Sequence, residues 1–258
     1  MEDSPRTLLE FEERFADERA CVEYLLKLRW PNGFICPRCG SRRSSLTRRT
    51  LYHCRDCGLQ TSVLARTVFQ DTKKPLRLRF RAMWHLTNQK YGANALGLQR
   101  VMGFNRYRTS WAWLHKLRQA MVRPGRDRLS GTIEVDETYI GGERPGKRDR
   151  GAAGKALVAT AAQQDHNRIG RVRLGRVKDA SGESLGGFVA AAVEPGSTVH
   201  TDQGAVHPSY LDYYLDEYTF RFNRCTSRSR GKLFYRLAQQ AVLTDPLPVK
   251  DISSGRKG

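Results

Sequence analysis

Two Cys-x-x-Cys pairs, Cys36-Pro-Arg-Cys39-Gly and Cys54-Arg-Asp-Cys57-Gly, stand 14 residues apart and constrain this chain more than any other feature. Four thiolates can close tetrahedrally on one zinc ion, and the glycine after each pair eases the tight backbone turn around the sulfurs. A redox pair or chance spacing is the alternative, but a thioredoxin-like site has one such pair and not two. The segment 34–70 around the cysteines holds short β-type pieces at 34–35, 51–53 and 61–64 and too few apolar residues for a core of its own. Metal is then what holds it together. With four sulfurs the site is closed, so zinc is expected to be structural and not catalytic. Cys21 and Cys225 stand alone and read as buried or incidental.

The flanking segments differ in period. Residues 8–29 space apolar side chains by three and four, a helical lead-in within 1–33 that Trp30-Pro-Asn-Gly33 ends. From 75 to 123 the pattern is again helical, punctuated at Gly92 and at Gly103-Phe-Asn105, which gives about three helices compatible with a helix-turn-helix arrangement for binding DNA. Trp111 and Trp113 resemble base-stacking groups, but aromatics among leucines on a short helix are more often core.

Beyond Pro124-Gly125 the period falls to two. Thr132–Ile140 alternates apolar and polar residues, two further strands are expected at 156–163 and 169–177, a helix at 181–193 and a fourth strand at 197–202. A helix between two strands permits a right-handed crossover that returns the chain parallel to an earlier strand. Three antiparallel strands with a parallel fourth beside the first is a ribonuclease-H-like arrangement, and it sets Asp136 and Asp202 on neighbouring strands. The chain is thus expected to be an α+β or α/β multidomain protein: lead-in, zinc ribbon over 34–70, helical segment over 75–123, ribonuclease-H-like mixed sheet over 131–240, and a disordered basic tail over 248–258.

An acid in an otherwise apolar strand asks for a cation or a hydrogen-bonding partner. Asp136 is such an acid, and Asp202 closes an apolar strand at its carboxyl end, where sites on open sheets tend to lie. Clustered carboxylates are what two-metal phosphodiester transfer with Mg²⁺ or Mn²⁺ requires. The bland alternative, a solvent-facing acid and a turn residue, stays open on pattern alone. Glu134 shares the strand face of Asp136, and Glu137 points the other way.

Charge names the partner class. Forty-five Lys and Arg against 26 Asp and Glu give a formal charge of +19, the footprint of a protein that sits on a polyanion. Arg42, Arg43, Arg48 and Arg49 in the ribbon, and Arg221, Arg224, Arg228 and Arg230 near the end, could track phosphates or form solvated basic faces. No stretch approaches the apolar length of a membrane span, so a cytoplasmic, nucleoid-associated protein is expected.

The cysteine knuckles, the stretch Thr109–Arg118, the strand Glu134-Val-Asp-Glu-Thr-Tyr-Ile-Gly-Gly142, the triplet His200-Thr-Asp202 and the segment Tyr214–Arg224 occur in an order that resembles the ISXO-like insertion-sequence transposases of bacteria, a DDE-type family with an N-terminal zinc ribbon. The resemblance implies that Asp136 and Asp202 are the first two catalytic, metal-binding acids, that the substrate is double-stranded DNA at element ends and target, and that the protein works as a homo-oligomer on DNA. It also implies a departure. In the family several dozen residues carrying the third catalytic position follow the second acid, whereas here Asp202 runs directly into Gln203–His207, as though that segment were deleted. Such a loss would leave the Asp202 strand with an exposed edge or an apolar patch. Three readings follow: an active transposase, a catalytically defective transposase that only binds DNA, and a zinc-ribbon transcription factor.

Overall fold

The computed structural model describes residues 4–47, 50–71, 73–89, 92–122, 125–140, 155–166, 168–201, 211–225 and 230–253. Contacts divide the chain into two units, Met1–Met121 with Ser227–Pro248, and Val122–Thr226 with Val249–Gly258.

In the first unit, the lead-in is two helices, α1 (Leu8–Arg14) and α2 (Glu18–Arg29). The break comes from Asp17, whose side chain accepts from the Ala20 N–H and so starts a second helix, as the Thr7 hydroxyl does for the first by accepting from Glu10. The ribbon follows as a three-stranded antiparallel sheet, β1 (Ser44–Leu46), β2 (Leu51–Cys54) and β3 (Gln60–Ser62), in sequence order. The β piece expected at 34–35 is not a strand; β1 takes its place as partner of β2. Next come the three helices anticipated from the sequence, α3 (Leu76–Asn88), α4 (Ala95–Met102) and α5 (Tyr107–Gln119).

Aromatic rings form the core of this unit. Phe234 lies on α8 (Arg230–Ala241), and its fully buried ring contacts Phe11, Phe15, Tyr24, Phe80 and Trp84 at centroid distances of 5.2–6.2 Å. This helix falls inside the span expected for the transposase domain, yet it packs on α2 and α3. Trp113 is buried edge-on to Phe104, so it is core and not a free stacking platform.

The second unit holds a four-stranded sheet of β4 (Thr132–Ile140), β5 (Ala156–Asp165), β6 (Arg168–Val177) and β7 (Thr198–Thr201), in the order β6-β5-β4-β7. The first three strands are antiparallel and β7 runs parallel to β4, reached through α6 (Gly182–Ala192). One face buries Ile133, Val135 and Ala161 beneath Phe188 and Val189 of α6. Gly175 makes room for this helix, since a Cβ there would stand 2.8 Å from the Phe188 ring. On the other face, Leu215, Tyr218 and Phe222 of α7 (Leu211–Phe222) share an apolar cleft with Val158, Val172 and Leu174. The β6 edge is covered at one point: the Asn223 side chain accepts from the Val172 N–H and donates to the Val172 carbonyl, 2.8 and 3.1 Å.

Of the 248–258 segment expected to be disordered, residues 254–258 lie outside the described residues and the described part differs from the expectation. Val249–Ser253 form α9, and Ile252 is fully buried. Composition alone reads the segment as polar and flexible, whereas apolar residues three apart at 249 and 252 give a short helix one side to bury.

Candidate zinc and carboxylate sites

The two cysteine knuckles repeat one backbone device. Cys36 N–H donates to the Ser41 carbonyl and Gly40 N–H to Cys36, at 2.8 and 2.9 Å; Cys54 N–H donates to Leu59 and Gly58 N–H to Cys54, at 2.9 and 3.0 Å. Gly40 and Gly58 take left-handed φ values of 72° and 69°, which is the conformational reason for glycine after each pair. The four Sγ atoms all lie within 4.8 Å of one another, with Cys36–Cys57 at 3.5 Å and Cys39–Cys54 at 3.6 Å. Zinc–sulfur bonds of about 2.3 Å in a tetrahedron imply sulfur separations of about 3.8 Å, so the cluster fits a structural zinc ion. Burial would raise the Cys36 thiol, but the backbone N–H groups of Cys39 and Arg38 and the neighbouring thiols hold it below the usual range. The Cys57 N–H acts first among the groups that lower Cys54.

Around the sulfurs a small aromatic cluster supplies what packing the ribbon has. Phe34 stacks on Tyr52 at 4.5 Å and meets Trp30 edge-on at 4.9 Å, against Cys36 and Cys54. Arg29 sets its guanidinium over the Trp30 ring at 4.7 Å and donates to the Ser62 and Val63 carbonyls, tying α2 to the end of β3. Asp56 in the second knuckle accepts from Ser41 and from Arg43 beside the first, so Arg43 is not free to meet a phosphate. Arg42 is exposed; Arg48 and Arg49 lie outside the described residues.

The carboxylates stand on β4. Its alternation buries Ile133, Val135 and Glu137 and exposes Glu134, Asp136 and Thr138. Asp136 therefore presents an exposed carboxylate on the sheet face that also carries α7, and its Oδ1 accepts from the Glu137 N–H at 2.7 Å. Glu134, two residues before it, accepts from Gln164 and pairs across the ladder with His200. Val135 pairs with Thr201, the last residue of β7. Asp202 lies outside the described residues.

Glu217, a further acid of this unit, lies away from β4. Glu217 is buried on α7 and accepts from the Arg221 guanidinium at 2.9 Å, and α7 packs on β6, at the opposite border of the sheet from β7. Arg224 lies over the Phe220 ring at 4.3 Å, so Arg221 and Arg224 of the basic segment near the end are both engaged with α7. The exposed trio Arg106, Tyr107 and Arg108 is not singled out by any sequence motif; the charge distribution around it is the signal that marks it.

Comparison with known proteins agrees with this arrangement. Residues 16–60 match the transposase zinc-ribbon domain and residues 128–207 match the ISXO2-like transposase domain. Over these two stretches the chain is similar to the zinc-ribbon and transposase domains of ISXO2-like transposases. The transposase match spans the β4–β7 sheet that bears Asp136, and the zinc-ribbon match spans the four cysteines. A protein described as an uncharacterized protein in transposable element ISH50, from Halobacterium salinarum, is 27% identical over 150 residues, which cover 55% of this chain and 49% of the relative. The chain thus spans about half the length of that relative. No solved structure matches the chain. The relative is archaeal, so the expectation of a bacterial source finds no support. Among the described residues no helix is long and apolar enough to cross a membrane.

Proposed function

We propose that the chain acts on double-stranded DNA as an insertion-sequence transposase, with a ribonuclease-H-like sheet whose Asp136 and Asp202 hold a divalent cation and with zinc in the four-cysteine site. The observation that supports the reading is the parallel β4–β7 ladder: Val135 pairs with Thr201, the last residue of β7, and Asp136 and Asp202 each follow one of this pair in sequence. Two strands that bring carboxylates to one end of a mixed sheet suit phosphodiester chemistry, because an oxygen-rich site on a rigid support can hold Mg²⁺. Mg²⁺ or Mn²⁺, when bound, polarises the attacking oxygen and stabilises the leaving one. Asp136 contributes an exposed carboxylate on a sheet face. Attack of water on the phosphorus at an element end breaks the P–O3′ bond and frees a 3′ hydroxyl. That hydroxyl then attacks a target phosphorus, forming a new P–O bond as another breaks.

A second reading, DNA binding without cleavage, is favoured by one observation. Among the described residues, Glu217 is the acid nearest in sequence after Asp202 that is both buried and helical, and it is neutralised by Arg221 on the far border of the sheet. Glu217 is therefore engaged with Arg221 and not placed as a third metal ligand. The test is a strand-cleavage assay with Mg²⁺ or Mn²⁺ on duplexes carrying the ends of the element, using the unmodified chain, Asp136→Ala and Asp202→Ala. Cleavage abolished by both substitutions supports the first reading. Sequence-preferring binding without cleavage by the unmodified chain supports the second, and absence of sequence-preferring binding removes both and leaves the zinc-ribbon transcription factor to be tested on other DNA.

A further inference from the structure

We infer that α4 and α5 form a helix-turn-helix reader whose exposed residues Arg106, Tyr107 and Arg108 enter the major groove of duplex DNA. The inference rests on the transposase reading for its partner and goes beyond it by assigning sequence recognition to one helix.

The turn between the helices is built to fix their angle. Gly103 closes α4 in the left-handed region, φ 63° and ψ 34°, and the Phe104 N–H reaches back to the Gln99 carbonyl at 3.1 Å. The Gln99 amide in turn donates to the Phe104 carbonyl at 3.0 Å. Phe104 is buried against Trp113 of α5, so the turn is anchored to the helix that follows it. Position and orientation of the start of α5 are thereby set from both sides.

Burial along α5 is sharply divided. Arg106, Tyr107 and Arg108 are exposed, with Tyr107 at 53%, whereas Ser110, Ala112, Trp113, Leu114, His115, Leu117 and Arg118 are buried. Only the first turn is free to meet a partner, and that is the part of a recognition helix that reaches base edges. The same turn has no side-chain cap, so its first backbone N–H groups have no capping side chain.

Charge fixes the nature of that partner. From residue 72 to 126 the sequence contains 13 Lys and Arg and no Asp or Glu. Several of these cations have structural tasks: Arg79 donates to the Phe69 and Lys74 carbonyls, Arg118 to the Ala93 carbonyl, and Arg81 pairs with Glu12. Arg106 and Arg108 do none of this; among the described residues their side chains make no hydrogen bond or ion pair. A fixed turn, an exposed basic and aromatic first turn, and a surrounding stretch without acids together complement a duplex. Arginine reads guanine bidentately, which makes two arginines flanking a tyrosine a means of sequence selection and not only of charge neutralisation.

The test uses the full zinc-loaded chain and a random-sequence duplex library, with rounds of selection followed by anisotropy titrations on the recovered consensus. The unmodified chain is expected to recover a consensus. Arg106→Ala and Arg108→Ala each are expected to lose about tenfold in affinity for it and to relax one or two positions. Thermal midpoint and zinc content should stay unchanged, because both residues are exposed and among the described residues neither side chain makes a hydrogen bond or ion pair. If the unmodified chain selects no duplex, the inference and the transposase reading fall together. If it selects a consensus that both variants bind equally well, the reading stands and the inference is overturned. Uniform weakening on all duplexes, with the consensus intact, would overturn it too, because these residues would then contact phosphates alone.

Discussion

At the scale of single residues, the cysteines and one histidine make the clearest predictions. Cys36→Ser removes one of four sulfurs from a cluster that fits zinc, so metal analysis should find well under one zinc per chain, and the ribbon should lose protection in hydrogen exchange. His115 is fully buried beside Trp111, and burial, with the nearby Arg118 acting in the same direction, lowers its pKa to about 4. Between its unfolded pKa of about 6.5 and that value the unfolded chain binds the proton and the folded chain does not, so stability falls as pH drops through this window. Thermal midpoints measured from pH 7 to 4.5 should decline less steeply for His115→Gln than for the unmodified chain; equal slopes would show that His115 is not the group responsible. The cysteine site was legible in the sequence because its chemistry is local: spacing and glycine placement carry it. The alternation of β4 was legible too, and with it the exposed position of Asp136. The first turn of α5 was not, since Arg106 and Arg108 belong to no motif and only burial separates them from Arg79 and Arg118.

At the scale of elements, period and punctuation located most of the structure. The strands at 132–140, 156–165 and 168–177 and the helix at 182–192 coincide closely with the alternation and the helical spacing read from the sequence. What the sequence could not give is capping from a distance. Pro75 precedes α3 and offers no side-chain cap, and the two exposed N–H groups of Leu76 and Arg77 are instead taken by the Glu18 carboxylate from α2, at 2.6 and 3.1 Å. A helix terminus satisfied by a residue 58 positions away leaves no local trace. Glu18→Ala should destabilise the first unit by about 1 kcal/mol, the typical cost of losing an N-cap acceptor, and Glu18→Gln by less because one acceptor oxygen remains. Denaturant titration followed by tryptophan fluorescence reads this directly, and an unchanged midpoint for Glu18→Ala would contradict the capping role.

At the scale of the whole molecule, the N-terminal unit is discontinuous in sequence: its aromatic core is completed by α8 from the far side of the transposase domain. Loss of the Phe234 ring should cost about 3–5 kcal/mol, the usual range for a buried aromatic, and the effect should appear in the unit that contains the ribbon and α3–α5. Weakened DNA binding by Phe234→Ala, with Asp136 and its sheet untouched, is the expected signature, and calorimetry alongside anisotropy checks it. A period of 3.6 shows that 230–241 is a helix but not which unit it completes, which is why its place was hidden. The claim on which the functional account turns is that Asp136 and Asp202 hold one divalent cation between them. The most direct measurement is a Mn²⁺ titration by electron paramagnetic resonance on the zinc-loaded chain with a duplex bound, comparing Asp136→Ala, Asp202→Ala and the double substitution. The account predicts that each single substitution removes the same bound Mn²⁺ and that the double removes nothing more; Mn²⁺ binding unchanged by both singles, or lost additively from two independent sites, would contradict it.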